Sequence, residues 1–256
     1  MFNKTRFSTK LLLFTLLAGL ALLAGCISIN GQTVSGDGAA ATTAQPKLNE
    51  LTPDEQAAGW RLLFDGQTTG GWRNFKKQTF PSRGWVVEEG CLKKVARVRG
   101  GDIMTTETFD NFELQWEWRI PPRGNNGVKY FITEERDTAI GHEYQMIDDS
   151  TFKNPKGRTA SFYDVLPPTE HQPVRLAPDW NHSRVLVQGN QVEHWLNGEK
   201  VLEYELGSDQ VKAGVAKSKF KAVPGFGTHI KGHVLLTDHG DAAEFRSIKI
   251  RELRAQ

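Results

Sequence analysis

Helical periodicity is almost absent from this sequence, and so are the residue clusters that mark several common functions. No Lys/Arg-dense block occurs beyond the first ten residues. The 32 basic and 30 acidic side chains leave a net charge of +2 with the signs interspersed, which excludes a nucleic-acid-binding surface and any nucleic-acid partner. The seven histidines show no spacing of the zinc-ligand kind. Cysteine is scarce, with only Cys26 and Cys91. Cys91, beside Leu92 and Val95, reads as a small buried strand residue and not as a nucleophile.

What is present begins with Lys4, Arg6 and Lys10, followed by an unbroken apolar stretch from Leu11 to Ala24. That stretch is short for a membrane span and reads as the hydrophobic part of a signal peptide covering residues 1–25. It ends in Leu23-Ala24-Gly25-Cys26, which resembles a bacterial lipobox. The resemblance implies lipidation of Cys26, and Ile27 in place of an aspartate implies passage to the outer membrane. Lipidation would leave Cys91 without a partner for an intradomain disulfide. Residues 26–49 are rich in Gly, Ser, Thr, Ala and Gln and carry almost no large apolar side chain, so they form a flexible tether. Residues 50–256 suit one domain with a sizeable core.

Thr52-Pro53-Asp54-Glu55 opens one short helix, with a capping threonine, proline at the first position and glutamate at the third. Beyond Gly59 the pattern is of strands. Phe112 to Ile120 alternates strictly, placing Leu114, Trp116 and Trp118 on one face and Glu113, Gln115, Glu117 and Arg119 on the other. Val192 to Tyr204 is a hairpin about Asn197-Gly198, and Gln188-Gly189-Asn190 extends it to a meander. The fold class is therefore all-β, an antiparallel β-sandwich or jelly roll with one short N-terminal helix. Long connections at residues 121–127, 133–142 and 148–179 are where a site is expected.

Several constellations could carry chemistry. Glu113 and Glu117 share a strand face, but their Cα atoms stand roughly 13 Å apart, against carboxyl separations of about 5–5.5 Å in a retaining glycosidase pair. A solvated outer face explains them better. In Gly141 to Asp149, Glu143 and Gln145 share one face and Tyr144 and Met146 the other; a carboxylate beside an amide binds a polyol and moves a proton, or merely forms a polar outer face. Lys129 opposes Val128 and Tyr130, so it is either solvated or aimed into a cleft, where it would stabilise an oxyanion. Tyr163-Asp164 offers a sugar-stacking ring beside a carboxylate, although Asp164 also suits a turn before Pro167. Asp238-His239-Gly240 on its own reads as a turn.

Taken together, "GWRLLFDGQTTGGWRNF", "GNNGVKYFI", "GHEYQMIDD", "TASFYDVLPP", "WNHSRVLVQGNQVEHWLNGEKV", "SKFK" before "GFG", and "GHVLLTDHGDAAEFRSIKIREL" resemble, in order, the 3-keto-disaccharide hydrolase domain family across residues 52–254. Two positions depart from the family pattern: Thr237 stands where glutamine is usual, and His142 where an apolar residue is frequent. The resemblance implies a lectin/glucanase-type jelly roll acting on an oligosaccharide or glycoside oxidised at C3 of the glucosyl unit. Such a substrate needs a base near C2, donors or a metal at the C3 oxygen, and an acid for the leaving group. Side-chain chemistry then assigns Glu143 as base or acid, His239 with Asp238 as the second proton-transfer or ligand pair, and Lys129 as the enolate stabiliser. Asn126, Gln145, Asp148, Tyr163 and Asp164 are assigned to substrate hydroxyls. No cofactor is required by the sequence, and a divalent metal on Glu143, Asp238 or His239 stays open. Two other classes also stay open: a non-catalytic carbohydrate-binding jelly roll stacking sugars on Trp72, Trp85 and Tyr163, and an ordinary glycosidase.

Overall fold

The computed structural model describes residues 47–169 and 174–254. The expected signal peptide, Cys26 and most of the expected tether lie outside the described residues. Asn49, the last tether residue expected, is buried: its amide donates to the Gly90 carbonyl at 2.9 Å and its side-chain oxygen accepts from Ser247 N at 2.8 Å. Among the described residues no helix is long and apolar enough to cross a membrane.

Helix α1 (Pro53–Ala57) carries the reciprocal Thr52–Glu55 capping box that the sequence predicts. Short strands β1 (Arg61–Leu62), β2 (Trp72–Asn74), β3 (Trp85–Glu88), β4 (Cys91–Lys94) and β5 (Ile103–Thr105) follow. Then come β6 (Phe112–Arg119), β7 (Asn125–Ile132) and β8 (His142–Ile147). Strand β7 thus claims Asn125 to Gly127, where a loop is expected from the glycines. The meander β9 (Asn181–Gln188), β10 (Gln191–Leu196) and β11 (Glu199–Glu205) is as expected, with φ of 50° at Asn197 and 90° at Gly198, as a type I′ turn requires. Helix α2 (Asp209–Ala216) has no counterpart in the sequence reading. It is capped by Ser208 and buries only Val211 and Gly214, too few to write a helical stripe. Strands β12 (His233–Leu236) and β13 (Ala243–Glu252) complete the chain.

All strand pairs are antiparallel and form two sheets. One runs β11-β10-β9-β6-β13-β4-β3, with β1 added against β13, and the other runs β2-β5-β12-β7-β8. Hairpin neighbours such as β9-β10, β3-β4 and β7-β8 alternate with pairs remote in sequence, such as β6-β13, β13-β4 and β12-β7, as in a jelly-roll-like sandwich. Leu114, Trp116 and Trp118 of the first sheet pack with Val128, Tyr130, Tyr144 and Met146 of the second, and all are buried. Because side chains alternate along a strand, the same β7 and β8 must send Lys129, Glu143 and Gln145 to the opposite face.

Inside the core, His194 bonds to Tyr130 Oη through Nε2 at 2.8 Å and to the Ala160 carbonyl through Nδ1 at 2.9 Å. Burial drives its pKa down to about 4. His142 is likewise enclosed, against Phe162, Phe226 and Phe131, and burial holds it well below the ordinary value. At position 142, where the resemblance leads one often to expect an apolar residue, stands a neutral core histidine that accepts from Gly227 N at 3.2 Å.

A buried ion pair joins the two sheets at one end. Lys94 on β4 meets Asp238, just beyond β12, at 3.0 Å, with side-chain exposures of 0% and 2%. The ammonium also donates to the carbonyls of Val95 and Val98, both at 2.8 Å. The carboxylate accepts from the backbone N–H of Gly100, Gly101 and Gly240 at 2.8, 2.9 and 3.0 Å. Burial alone would raise the Asp238 pKa, but these donors and Lys94 outweigh it and lower it.

Lys94→Met leaves that carboxylate buried without its cation and is expected to cost about 3–5 kcal/mol in urea unfolding. A loss under about 1 kcal/mol would show that backbone donors alone suffice. Stability should also fall on acidification between the ordinary histidine value and about pH 4, since the unfolded chain takes up a proton in that window that folded His194 refuses. His194 alone accounts for about 3 kcal/mol of that change. An NMR titration finding the His194 ring charged at pH 6 would overturn it.

Candidate active site

The face of β7 and β8 turned away from the core forms the floor of a cleft of about 430 Å³. Its register places Lys129 opposite Glu143 and Gly127 opposite Gln145. The segments 138–141 and 219–223 wall the cleft, and Tyr163 and His239 stand at its rim. Glu143 sits at the centre with only 4% exposure. Its carboxylate occupies space that exists because residue 127 is glycine: a Cβ there would meet Glu143 Oε1 at 2.3 Å.

Two lysines and a histidine surround this carboxylate. His239 Nε2 lies 3.6 Å from Oε1, too long for a full hydrogen bond but within ion-pair reach. Lys129 Nζ lies 4.0 Å from Oε2 and donates to the Ala139 carbonyl at 3.2 Å. Lys219 stands over the Tyr163 ring with its ammonium 4.3 Å from the centroid. Burial would push the Glu143 pKa up, yet His239, Lys129 and Lys219 together bring it below the ordinary value. The group is therefore an ionised carboxylate at neutral pH, itself almost fully shielded from solvent. Burial, with Glu143 and Asp164 nearby, raises the Tyr163 phenol and keeps it a hydrogen-bond donor.

Gln145 also lines the cleft, and its Oε1 is buried without a partner; the same holds for Oδ1 of Asn125. Both are buried acceptors with no hydrogen bond beneath the cleft floor. Asn125 and Lys219 escaped the sequence reading. The alternation along β7 that singled out Lys129 also points to Asn125, four residues earlier, and Lys219 lies within the "SKFK" motif.

Other residues expected at the site are placed elsewhere. Asp238 is spent on Lys94 and three backbone donors and does not line the cleft, so it positions the turn that carries His239. Asp148 caps a short turn, accepting from Ser150 N and Oγ and from Arg123 N. Asp164, at φ 64°, accepts from Lys219 N at 2.7 Å and so fixes the start of the cleft wall. Asn126 is fully buried and binds Gly127 N, the Thr237 carbonyl and the Thr237 hydroxyl. Thr237, 1% exposed, therefore closes a buried network at the sheet end and does not line the cleft.

Glu113 is not solvated as expected: it lies buried between Arg251 and Arg184, while Glu117 pairs with Arg246. Trp72 and Trp85 are core residues whose indoles donate to the carbonyls of Leu63 and Gly101, so neither offers a ring to a sugar. Among the described residues no group of three or more His, Cys, Asp or Glu side chains is arranged to hold a metal. Asp102, Glu143 and His239 line the cleft without forming such a group.

Comparison with known proteins places the chain in a family. A "3-keto-disaccharide hydrolase" of Bacteroides thetaiotaomicron is 30% identical over 242 residues, spanning 81% of this chain and 83% of that protein. A crystal structure of a proposed glycosyl hydrolase from Parabacteroides distasonis superposes with a TM-score of 0.74 at 34% identity, covering 81% of this chain and all of the other. A second such structure from the same organism gives 0.62 at 26% identity, over 76% of this chain and 99% of the other. The profile of the 3-keto-alpha-glucoside-1,2-lyase-like domain family matches residues 59–251, and the chain belongs to that family.

Proposed function

We propose that this protein cleaves 3-keto glycosides by elimination, followed by hydration. The observation that carries the reading is the convergence of one ionised, buried carboxylate, Glu143, with His239 and Lys129 in a single cleft. A ketone at C3 acidifies the proton on C2. Glu143 removes that proton, and the C2–H electrons pass into a C2–C3 enolate whose oxygen charge is met by Lys129. As the enolate collapses, the C1–O bond breaks and the departing oxygen takes a proton from His239. The product is a C1–C2 enone conjugated with the ketone. Water added across it, hydroxyl to C1 and proton to C2, completes a net hydrolysis. Asn125, Gln145 and Tyr163 hold the hydroxyls.

This chemistry needs one base and no second carboxylate across the bond. That agrees with a cleft containing Glu143 while Glu113 and Glu117 are tied up by arginines on the other sheet. The reading extends to placement: Cys26 carries a lipid that anchors the protein in the bacterial cell envelope, at the outer membrane.

Purified protein should release aglycone from a 3-keto glucoside and not from its unoxidised parent. Equal release from both, or from neither, would sink the mechanism. Glu143→Gln keeps the shape of the side chain and should lower kcat/KM by about 100-fold or more, and exchange of the substrate C2 proton into deuterated water should vanish with it. For the anchor, Cys26→Ser should move the protein from the membrane fraction to the soluble one.

A further inference from the structure

The cleft continues beyond the catalytic groups. A shallow depression shares Asp102, Thr138 and Ala139 with it, and a third depression shares Asn74, Lys77 and Gly100 with the shallow one. This third depression, of about 290 Å³, is lined by Lys77, Arg83 and Arg99 and by no acidic side chain. Among the described residues, none of those three cations makes an ion pair or side-chain hydrogen bond. The cluster does not reflect a generally basic chain, whose net charge is +2. Of the acids in the neighbouring depression, the Asp102 carboxylate accepts from Asp238 N at 2.7 Å, and the exposed Asp137 lies 3.7 Å from Lys76.

The cations stand on fixed backbone. Arg99 adjoins Gly100 and Gly101, whose N–H groups are held by Asp238, and Asn74 Nδ2 donates to the carbonyls of Gly100 and Asp102. The Arg83 segment packs so closely on this loop that a Cβ at Gly100 would lie 2.3 Å from the Arg83 carbonyl. Phe80, half-buried, adds a ring at the same depression, suited to the C–H face of a sugar. Guanidinium groups on a rigid frame recognise planar or tetrahedral oxyanions.

We infer that Lys77, Arg83 and Arg99 form an anion subsite for an extended glycan, taking a carboxylate or sulfate carried on a sugar beyond the one being cleaved. This rests on the cleavage reading for its direction along the cleft but not for the binding itself. An acidic oligosaccharide crossing from one depression to the next would place its neutral, oxidised unit over Glu143.

The test compares wild type with the double variant Arg83→Gln/Arg99→Gln, both side chains being exposed. The measured quantity is the ratio of kcat/KM for a 3-keto oligosaccharide ending in a uronate or a sulfate to that for its neutral counterpart. The ratio should fall about tenfold in the variant, and rising salt should lower it in wild type alone; an unmoved ratio overturns the proposal. Calorimetry with the unoxidised uronate- and sulfate-terminated oligosaccharides separates the two anions. It also separates this proposal from the cleavage reading: binding lost in the variant supports the subsite even if no substrate is cleaved. Absence of binding to wild type overturns the subsite even if cleavage is intact. Phosphatidylglycerol vesicles form the last arm, and tighter binding to them than to either oligosaccharide would overturn the glycan assignment in favour of a membrane surface.

Discussion

The Lys94–Asp238 pair is the contact on which the arrangement of the cleft depends. Desolvating two charges is costly, and an isolated pair seldom repays that cost. Here both partners are saturated, the ammonium by two carbonyls and the carboxylate by three backbone N–H groups. What the pair secures is geometry. One carboxylate fixes the turn that presents His239, the loop at Gly100 and Gly101, and the junction between β4 of one sheet and the end of β12 in the other. A hydrophobic pair could hold the sheets together, but it could not supply acceptors to backbone amides converging from separate segments.

The cleft floor follows from a different constraint, the two-residue period of paired strands. Val128, Tyr130, Tyr144 and Met146 are taken by the core, so Lys129, Glu143 and Gln145 must face the cleft together. An antiparallel register puts the lysine directly across from the glutamate. Gly127 then leaves the space that the glutamate fills. The carboxylate is buried yet ionised because His239, Lys129 and Lys219 face it and outweigh the cost of burial. A more exposed carboxylate would keep its charge at lower cost but would be hydrated.

Much of the fold was legible from the sequence because its signals are local. The capping box at Thr52, the Asn197-Gly198 turn and the alternation from Phe112 to Ile120 each specify their own conformation. Helix α2 was not legible, since it buries only two residues and is held mainly by contacts with remote ones: Gly214 against Val165, and Val211 near Gly227. The solvated reading of Glu113 failed for a related reason. Its strand face does point away from the core, but Arg184 from β9 and Arg251 from β13 fold over it. Strand order, which no local pattern reveals, decides that burial.

The site was legible by residue type and only partly by role. Glu143, Lys129, His239, Gln145 and Tyr163 do converge, while Asp148, Asp164, Asn126 and Asp238 serve the backbone that surrounds them. A short aspartate or asparagine near a turn satisfies local N–H groups as readily as it binds a hydroxyl, and motif membership marks both kinds alike. Asp238 and His239 make the point most sharply. They are adjacent in sequence, yet the turn sends one side chain inward to Lys94 and the other outward to Glu143. A polar pair that reads as a single catalytic dyad is thus an anchor and the group it anchors, and the difference lies in Lys94, more than a hundred residues away in the chain.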